Sequence, residues 1–244
     1  MRNYKYLILS KVSYQRGIRL SSVLKKPPYL QVAIDVTDLS KGVKIANNVA
    51  VSEYVIIEAG TPLIKSSGMT SVKVLSQMFP NNIVFADMKT MDVGSLEAEI
   101  AILSGAKITS VLGAADDGTI AEATKRAREL GGESQVDMIS VSNPLARAKE
   151  VNALGVKLIG LHAGIDQQLG KKMRGVDFLP LIREIKAELP GIMISVAGGI
   201  KPDEASKLVE AGADVVVAGS AIVGSRDPRE ATMEFLRKMG ISKG

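Results

Sequence analysis

Eight short β-rich runs, separated by amphipathic segments of helical period, constrain the fold of this chain more than any other sequence feature. The runs are almost continuously apolar, which is typical of parallel strands covered on both faces. In chain order they are LQVAID (30–35), YVIIEA (54–59), IVFAD (83–87), ITSVLG (108–113), VDMISV (136–141), KLIGLH (157–162), IMISVA (192–197) and VVVAG (215–219).

A segment with apolar residues at three- and four-residue spacing follows each run, and several of these segments end at a glycine that would terminate a helix. The segments are 39–49, 72–78, 96–103, 120–130, 144–154, 179–189, 202–211 and 228–239. Eight consecutive βα units predict an α/β protein, specifically a single-domain (β/α)8 TIM barrel. A doubly wound open sheet is the alternative, but the lack of a second domain favours closure.

The basic residues are concentrated at the N-terminus. Residues 1–28 contain no acidic residue and seven basic ones, namely Arg2, Lys5, Lys11, Arg16, Arg19, Lys25 and Lys26. The chain has 31 basic and 26 acidic residues, so without these seven the acidic residues outnumber the basic ones. We therefore expect residues 1–29 to be a basic extension and residues 30–244 to be the catalytic barrel. A solvated tail, or a helix closing one end of the barrel, is favoured over RNA or membrane contact, and no nucleic-acid partner is expected.

Composition excludes several classes of protein. The chain has no cysteine, so disulfides, thiolate nucleophiles and zinc–sulfur sites are absent. No stretch approaches the roughly 18 apolar residues of a membrane span, and the apolar run at residues 6–9 is too short for a secretory signal. A cytoplasmic protein without a membrane partner is expected.

Charged side chains stand at the carboxyl ends of the predicted strands. Asp35, Glu58 and Asp87 end the first three strands, Lys89 follows shortly after, and His162 ends the sixth. Charges beside buried strands are costly unless they pair or bind a ligand, and TIM-barrel active sites lie at this edge. The pattern predicts an enzyme.

Glu58 and Asp87 end neighbouring strands, where two carboxylates would repel each other unless a cation lies between them. A Mg²⁺ ion held by carboxylate oxygens and water fits this arrangement, and Lys89 would add positive charge. A metal-free network of ion pairs around Lys89 is the alternative. Asp116 and Asp117, by contrast, precede a predicted helix and are interpreted as N-cap residues.

Glycine-rich turns follow the last two strands. Gly198–Gly199 ends strand 7 and Gly219–Ser220 ends strand 8. Such turns let backbone N–H groups approach an anion, and this part of a TIM barrel often binds phosphate. The alternative is that the glycines only permit tight turns. Both turns in the right order favour a phosphate site.

His162 is the only histidine in the chain, and Asp166 follows it at a spacing of four. A histidine at a strand end is suited to act as a general base, although a lone histidine is often only a core residue. The connection that follows, residues 163 to about 176, carries Lys171, Lys172 and Arg174. It is either a mobile lid over an anionic substrate or an ordinary solvated loop.

Several motifs together resemble the orotidine-phosphate decarboxylase superfamily, and within it the 3-hexulose-6-phosphate synthase family. The pattern Asp87-x-Lys89-x-x-Asp92 is characteristic of the superfamily. The stretches that resemble the synthase family are LQVAID, EAGTPLIKSSGM, ADMKTMDVGSLEAE, TSVLGAADDGTI, VDMIS, LHAGIDQQ and VAGGIK. The likeness extends from residue 30 to about residue 240.

The resemblance implies an aldehyde-lyase that condenses formaldehyde with D-ribulose 5-phosphate to D-arabino-hex-3-ulose 6-phosphate, or cleaves that product. It implies Mg²⁺ or Mn²⁺ on Glu58 and Asp87, a metal-stabilised enediolate, and Lys89 beside the substrate oxygens. It also implies a homodimer in which Asp92 reaches the neighbouring site, with Asp35 completing the polar floor. His162 is the expected base. The phosphate-binding residues would be Gly198, Gly199, Gly219 and Ser220.

Two sister branches fit less well. Orotidine-phosphate decarboxylase needs no metal and has no counterpart of His162. It typically has no counterpart of Glu58 either. The alternative function is 3-keto-L-gulonate-6-phosphate decarboxylase. That branch usually has arginine after the strand-8 glycine and after the strand-6 histidine, where this chain has Ser220 and Ala163. A non-catalytic binder would lack the carboxylate pair and the base.

Overall fold

The chain folds into a closed barrel of eight parallel strands in the order β1 to β8, in a computed structural model that describes residues 23–241. The predicted (β/α)8 barrel is therefore confirmed. The strands are β1 Tyr29–Ile34, β2 Val55–Ala59, β3 Val84–Thr90, β4 Ile108–Leu112, β5 Glu133–Asp137, β6 Leu158–His162, β7 Met193–Ala197 and β8 Val215–Ala218.

Helices surround the barrel, and all of them except Ile165–Lys171 bury residues against it. They are α1 Leu39–Val49, α2 Thr61–Ser67, α3 Met69–Met78, α4 Gly94–Leu103, α5 Asp117–Glu129, α6 Pro144–Ala153, α7 Ile165–Lys171, α8 Leu179–Glu188, α9 Pro202–Ala211, α10 Ser220–Val223 and α11 Pro228–Lys238, with a 3-10 turn at Gly175–Phe178. Glycines end several of them as predicted. Gly212, for example, caps α9 with a φ of 111°.

The lower part of the barrel is filled with apolar side chains. Phe85, Ile108 and Leu158 pack there with other inward residues of the strands. Leu24 and Tyr29 join this cluster and are 4% and 6% exposed, so the segment just before β1 closes the lower end. The upper half is left for polar residues.

The predicted N-terminal extension is only partly within the described residues. Strand β1 begins at Tyr29, one residue before the expected start of the barrel. Lys26 lies 3.6 Å from Glu53 in an exposed ion pair. Residues 1–22, which carry the other basic residues of the extension except Lys25, lie outside the described part of the chain, so its role stays a prediction.

The fifth strand lies three residues earlier than predicted. The expected span was 136–141, whereas β5 spans Glu133–Asp137. Its first three residues are polar but buried, and the first two of them pair with polar side chains. Glu133 pairs with Arg128 at 2.9 Å, and Ser134 lies 2.7 Å from Thr124 on α5. This shift moves Asp137 from inside the predicted strand to its carboxyl end.

No helix within residues 23–241 is long and apolar enough to cross a membrane. The cytoplasmic location stays a prediction.

Candidate active site

A cavity of about 720 Å³ opens at the carboxyl ends of the strands. It is lined by every predicted site residue except Asp92, namely Asp35, Glu58, Asp87, Lys89, His162, Gly198, Gly199, Gly219 and Ser220. It is also lined by residues that the sequence did not single out, including Gln31, Thr61, Gln135, Asp137, Gln168 and Ser195. Seven of the eight strands therefore contribute polar groups to one mouth, either directly or through the turns that follow them.

The carboxylate of Asp87 accepts more hydrogen bonds than any other side chain of the site. Its Oδ1 accepts a hydrogen bond from Ser110 Oγ at 2.8 Å, and its Oδ2 accepts one from Thr61 Oγ1 at 2.7 Å. Lys89 Nζ lies 2.5 Å from the same Oδ2 and 3.6 Å from Asp137. Three donors thus fix the carboxylate of Asp87 in one orientation.

Lys89 is positioned by an irregularity at the end of β3. The pairing of β3 with β4 shifts register between Ala86 and Thr90, and Lys89 adopts a left-handed φ of 46°. Its N–H donates to Ser110 Oγ at 2.9 Å. Burial alone would lower the pKa of Lys89, but the charges of Asp87 and Asp137 outweigh it and raise the pKa to about 12. The ammonium therefore stays charged at neutral pH.

Glu58 is buried beside this ion pair. Desolvation, followed by the charges of Asp87 and Asp35, raises the pKa of Glu58 well above its ordinary value, although Gln31 donates a 2.6 Å hydrogen bond to it. Asp35 stands at the rim of the mouth, where desolvation and the charge of Asp87 raise its pKa as well. Gly60 leaves room for Asp35, because a Cβ there would lie 2.2 Å from Asp35 Oδ1.

His162 faces a carboxylate that sequence reasoning missed. Its Nδ1 lies 3.0 Å from Asp137 Oδ2, and Asp137 is 3% exposed. Burial tends to raise the pKa of Asp137, but the hydrogen bond and charge of His162 and the charge of Lys89 lower it overall. An ionised Asp137 holds the Nδ1–H tautomer and leaves Nε2 free to accept a proton. Asp166, the residue noted in the sequence, is instead exposed on α7.

The two glycine turns follow β7 and β8, which pair with β6 and β1, the strands that end at His162 and just before Asp35. Gly198 and Gly199 have φ values of 124° and 60°, which only glycine adopts at little cost. A Cβ on Gly198 would lie 2.7 Å from the Cβ of Ala163, and one on Gly199 would lie 2.6 Å from Gln168 Oε1. The segment after β6 therefore packs directly against the strand-7 turn.

The predicted lid segment contains helix α7 and a clamp formed by Arg174. The guanidinium of Arg174 donates to the carbonyl of Gly199 at 2.5 Å and to Glu204 on α9 at 2.7 and 2.8 Å. Lys171 and Lys172 are exposed. A hydrogen bond thus joins the end of this segment to the turn that was predicted to bind phosphate, and an ion pair joins it to α9. The motion of the segment stays a prediction.

Asp92 is the one predicted site residue that the structure does not bring into the cavity of its own chain. It is exposed, and its Oδ1 accepts a hydrogen bond from the N–H of Val93 at 2.8 Å. Asp116 caps α5 by accepting from Gly118 N–H at 2.8 Å, as interpreted from the sequence.

The acidic residues suit an oxygen-coordinated cation only in part. Within residues 23–241, no group of three or more His, Asp or Glu side chains forms a ready metal cluster. Mg²⁺, however, commonly takes one or two carboxylates and completes its coordination with water and substrate oxygens. Glu58 and Asp87 supply such a pair, and burial, followed by the charges of Asp87 and Asp35, raises the pKa of Glu58. The donor set therefore fits Mg²⁺ or Mn²⁺.

Residues 28–235 match the orotidine 5′-phosphate decarboxylase / HUMPS family. The chain belongs to this family. Its match to the family covers all eight strands of the barrel, and therefore every residue that lines the cavity.

Within the orotidine 5′-phosphate decarboxylase / HUMPS family, the chain is 45% identical to a 3-hexulose-6-phosphate synthase of Mycobacterium gastri, over 84% of this chain and 97% of that protein. A solved structure of 3-hexulose-6-phosphate synthase is 41% identical, with a TM-score of 0.81 over 88% of this chain and 100% of that one. A 3-keto-L-gulonate-6-phosphate decarboxylase from Vibrio cholerae is 31% identical, with a TM-score of 0.78 over 88% of this chain and 98% of that one. Both branches of the family thus share this fold, while the sequence identity is higher to these two synthases than to this decarboxylase.

Proposed function

We propose that this protein is a 3-hexulose-6-phosphate synthase, an aldehyde-lyase that joins formaldehyde to D-ribulose 5-phosphate or cleaves the product. The observation that carries this proposal is that His162 and Lys89 meet at one buried carboxylate, with His162 Nδ1 3.0 Å and Lys89 Nζ 3.6 Å from Asp137 Oδ2. That arrangement places a base beside a fixed positive charge, which is what proton abstraction next to a carbonyl requires. The identity to named synthases supports the choice of substrate.

Each group of residues in the site has a separate role in the proposed reaction. Backbone N–H groups of the turns at Gly198–Gly199 and Gly219–Ser220 would hold the phosphate. His162 Nε2 would remove the proton at C1, and Lys89 would stabilise the negative charge that develops on the oxygen. The resulting enediolate carbon would attack formaldehyde. Asp137 orients His162 and stabilises its protonated form.

Glu58 and Asp87 are the residues that would hold Mg²⁺ or Mn²⁺. When bound, such an ion would polarise the carbonyl and adjacent hydroxyl oxygens of the sugar. The raised pKa of Glu58 supports this assignment, because a cation would compensate the carboxylate charge that burial makes costly. Asp35, whose pKa rises for the same reasons, would complete the polar floor.

The rival function is decarboxylation of 3-keto-L-gulonate 6-phosphate. That branch typically has arginine at two positions where this chain has Ala163 and Ser220. Ala163 is fully buried against Gly198. An arginine has no space at position 163 in this arrangement. Turnover of ribulose 5-phosphate with formaldehyde should therefore exceed CO₂ release from 3-keto-L-gulonate 6-phosphate, measured as kcat/KM on one preparation. The reverse ranking would assign the chain to the decarboxylase branch.

A homodimer with Asp92 acting across the interface is part of the proposal. Large apolar side chains on α4 and just before it are exposed, and two of them flank Asp92: Met91, Val93, Leu96, Ile100 and Leu103 are 40–67% exposed. Leu96, Ile100 and Leu103 recur at helical spacing and form one stripe. A contiguous apolar stripe of this kind is typical of a protein interface. Burying it against a second copy would carry Asp92 toward the neighbouring site.

Mixing two inactive variants tests this arrangement. Lys89→Ala and Asp92→Asn should each be inactive alone, and an equal mixture allowed to exchange subunits should recover about a quarter of wild-type activity. The reason is that half of the dimers are mixed, and one of their two composite sites has neither substitution. Mixed dimers, detected by mass spectrometry, that show no activity would place Asp92 in its own chain's site.

A further inference from the structure

One side chain that lines the cavity carries a buried polar atom without a hydrogen-bond partner in the described residues. Gln135, on β5, is 7% exposed, and its Oε1 accepts no hydrogen bond within residues 23–241. The amide lies against Gly160 on β6, since a Cβ there would lie 2.6 Å from Gln135 Nε2. Gln135 is two residues below Asp137 on the same strand and therefore points into the lumen beneath it.

Other polar side chains at this depth are engaged with the residues above them. Gln31 donates to Glu58 at 2.6 Å, and Ser110 donates to Asp87 at 2.8 Å. Gln135 differs because it lines the cavity while its buried acceptor atom has no such role. An unpaired buried acceptor destabilises a protein, so its retention in the floor of a binding cavity indicates a ligand group that can donate a hydrogen bond.

The chemistry of the substrates restricts what that group can be. This step rests on the proposed function. The carbonyl oxygens of ribulose 5-phosphate and of formaldehyde carry no hydrogen, and the phosphate is placed at the turns after β7 and β8. The carbonyl end of the sugar is placed beside Lys89 on β3. The carbon chain must therefore cross the lumen between these two ends, with its C3 and C4 hydroxyl groups over the floor that Gln135 lines.

We propose that Gln135 binds a C3 or C4 hydroxyl group of ribulose 5-phosphate and makes the site specific for that hydroxylated chain. The hydroxyl donates to Oε1, which is already desolvated and held in place by the contact with Gly160. A sugar phosphate that lacks this hydroxyl leaves the acceptor unpaired, and a site built in this way rejects such an analogue. Gln135 is a binding residue here and takes no part in proton transfer.

The structure offers a matched pair of variants for the test. Thr109 Oγ1 is the other buried atom without a partner in the described chain, and Thr109 is 2% exposed. Its strand neighbour Ser110 points into the lumen, so Thr109 faces the surrounding helices and does not line the cavity. Gln135→Met and Thr109→Val each remove an unpaired buried atom with little change of shape. Only the first should matter to the ligand.

Both variants should raise the melting temperature of the ligand-free protein by about 2–4 °C, because each removes an unpaired buried polar group. Titration calorimetry with ribulose 5-phosphate and Mg²⁺, without formaldehyde, should show about tenfold weaker binding for Gln135→Met and unchanged binding for Thr109→Val. With 3-deoxy- and 4-deoxyribulose 5-phosphate, the Gln135→Met effect should disappear for the analogue that lacks the contacted hydroxyl.

Unchanged affinity of Gln135→Met for ribulose 5-phosphate would overturn the proposal. So would a loss of stability with normal affinity, since that result would make the amide a purely structural group that holds water. Gly160→Ala, which displaces the amide tip without removing it, should weaken binding in the same direction and serves if Gln135→Met does not fold. If the wild-type protein binds no ribulose 5-phosphate, the proposed function fails first, and the two failures are thereby distinguished.

Discussion

Glu58→Gln is expected to lower turnover of ribulose 5-phosphate with formaldehyde by about 100-fold or more, the scale of losing a major electrostatic stabiliser. The substitution keeps the shape of the side chain and its contact with Gln31 but removes the charge that would hold a divalent cation. Mn²⁺ binding, followed by electron paramagnetic resonance, should weaken in parallel. Full binding of Mn²⁺ by the variant would remove Glu58 from the proposed ligand set.

The same variant should stabilise the metal-free protein at neutral pH. Burial holds the pKa of Glu58 in the folded state above its pKa in the unfolded state. At a pH between these two pKa values, the folded state therefore binds more protons than the unfolded state. Stability therefore falls as pH rises through that interval, and Glu58→Gln removes this loss. Glu133→Gln is the matched control, because Glu133 is also buried but pairs with Arg128 and does not line the cavity. That change should lower the melting temperature and leave kcat unchanged.

His162→Asn is expected to abolish exchange of the C1 hydrogen of ribulose 5-phosphate with solvent deuterium, a fall of about 10²–10⁴-fold for the loss of a general base. Proton NMR without formaldehyde measures this step apart from carbon–carbon bond formation. Binding of ribulose 5-phosphate should stay near normal, because the phosphate turns and the carboxylate pair are intact. Exchange at the wild-type rate would assign the base to another group, with Asp35 the next candidate.

Asp137→Asn separates the base from the residue that positions it. Asp137 touches His162 Nδ1 and Lys89, and its lowered pKa keeps it ionised at neutral pH. The variant should slow C1 exchange because the imidazole loses the partner that fixes its tautomer. Its residual exchange should exceed that of His162→Asn.

Much of this fold could be predicted from the sequence, because strands buried on both faces leave an apolar signal. Seven of the eight predicted runs overlap the observed strands almost completely. The exception is the fifth run, because β5 begins three residues before it. The charged strand ends at Asp35, Glu58, Asp87, Lys89 and His162 were predicted for the same reason. Apolar runs end where the barrel opens, so polar residues there meet at one mouth.

The rest depended on contacts that no local pattern contains. Asp137 was missed because the polar residues of β5 concealed the start of the strand, which placed Asp137 near its beginning instead of its end. Helices α2 and α7 have seven residues each, too few for a clear helical period. The unpaired acceptor of Gln135 depends on its neighbours across the lumen, and only the folded barrel reveals them.

Formaldehyde consumption with ribulose 5-phosphate tests the central claim most directly. The protein is assayed as isolated with Mg²⁺, after removal of metal by EDTA, and after Mg²⁺ or Mn²⁺ is restored, with NMR identification of the six-carbon product. We predict consumption that is lost with EDTA, that returns with the metal, and that yields D-arabino-hex-3-ulose 6-phosphate. Failure to consume formaldehyde under any of these conditions would contradict the proposed function, and full activity in the metal-free protein would contradict the role given to Glu58 and Asp87.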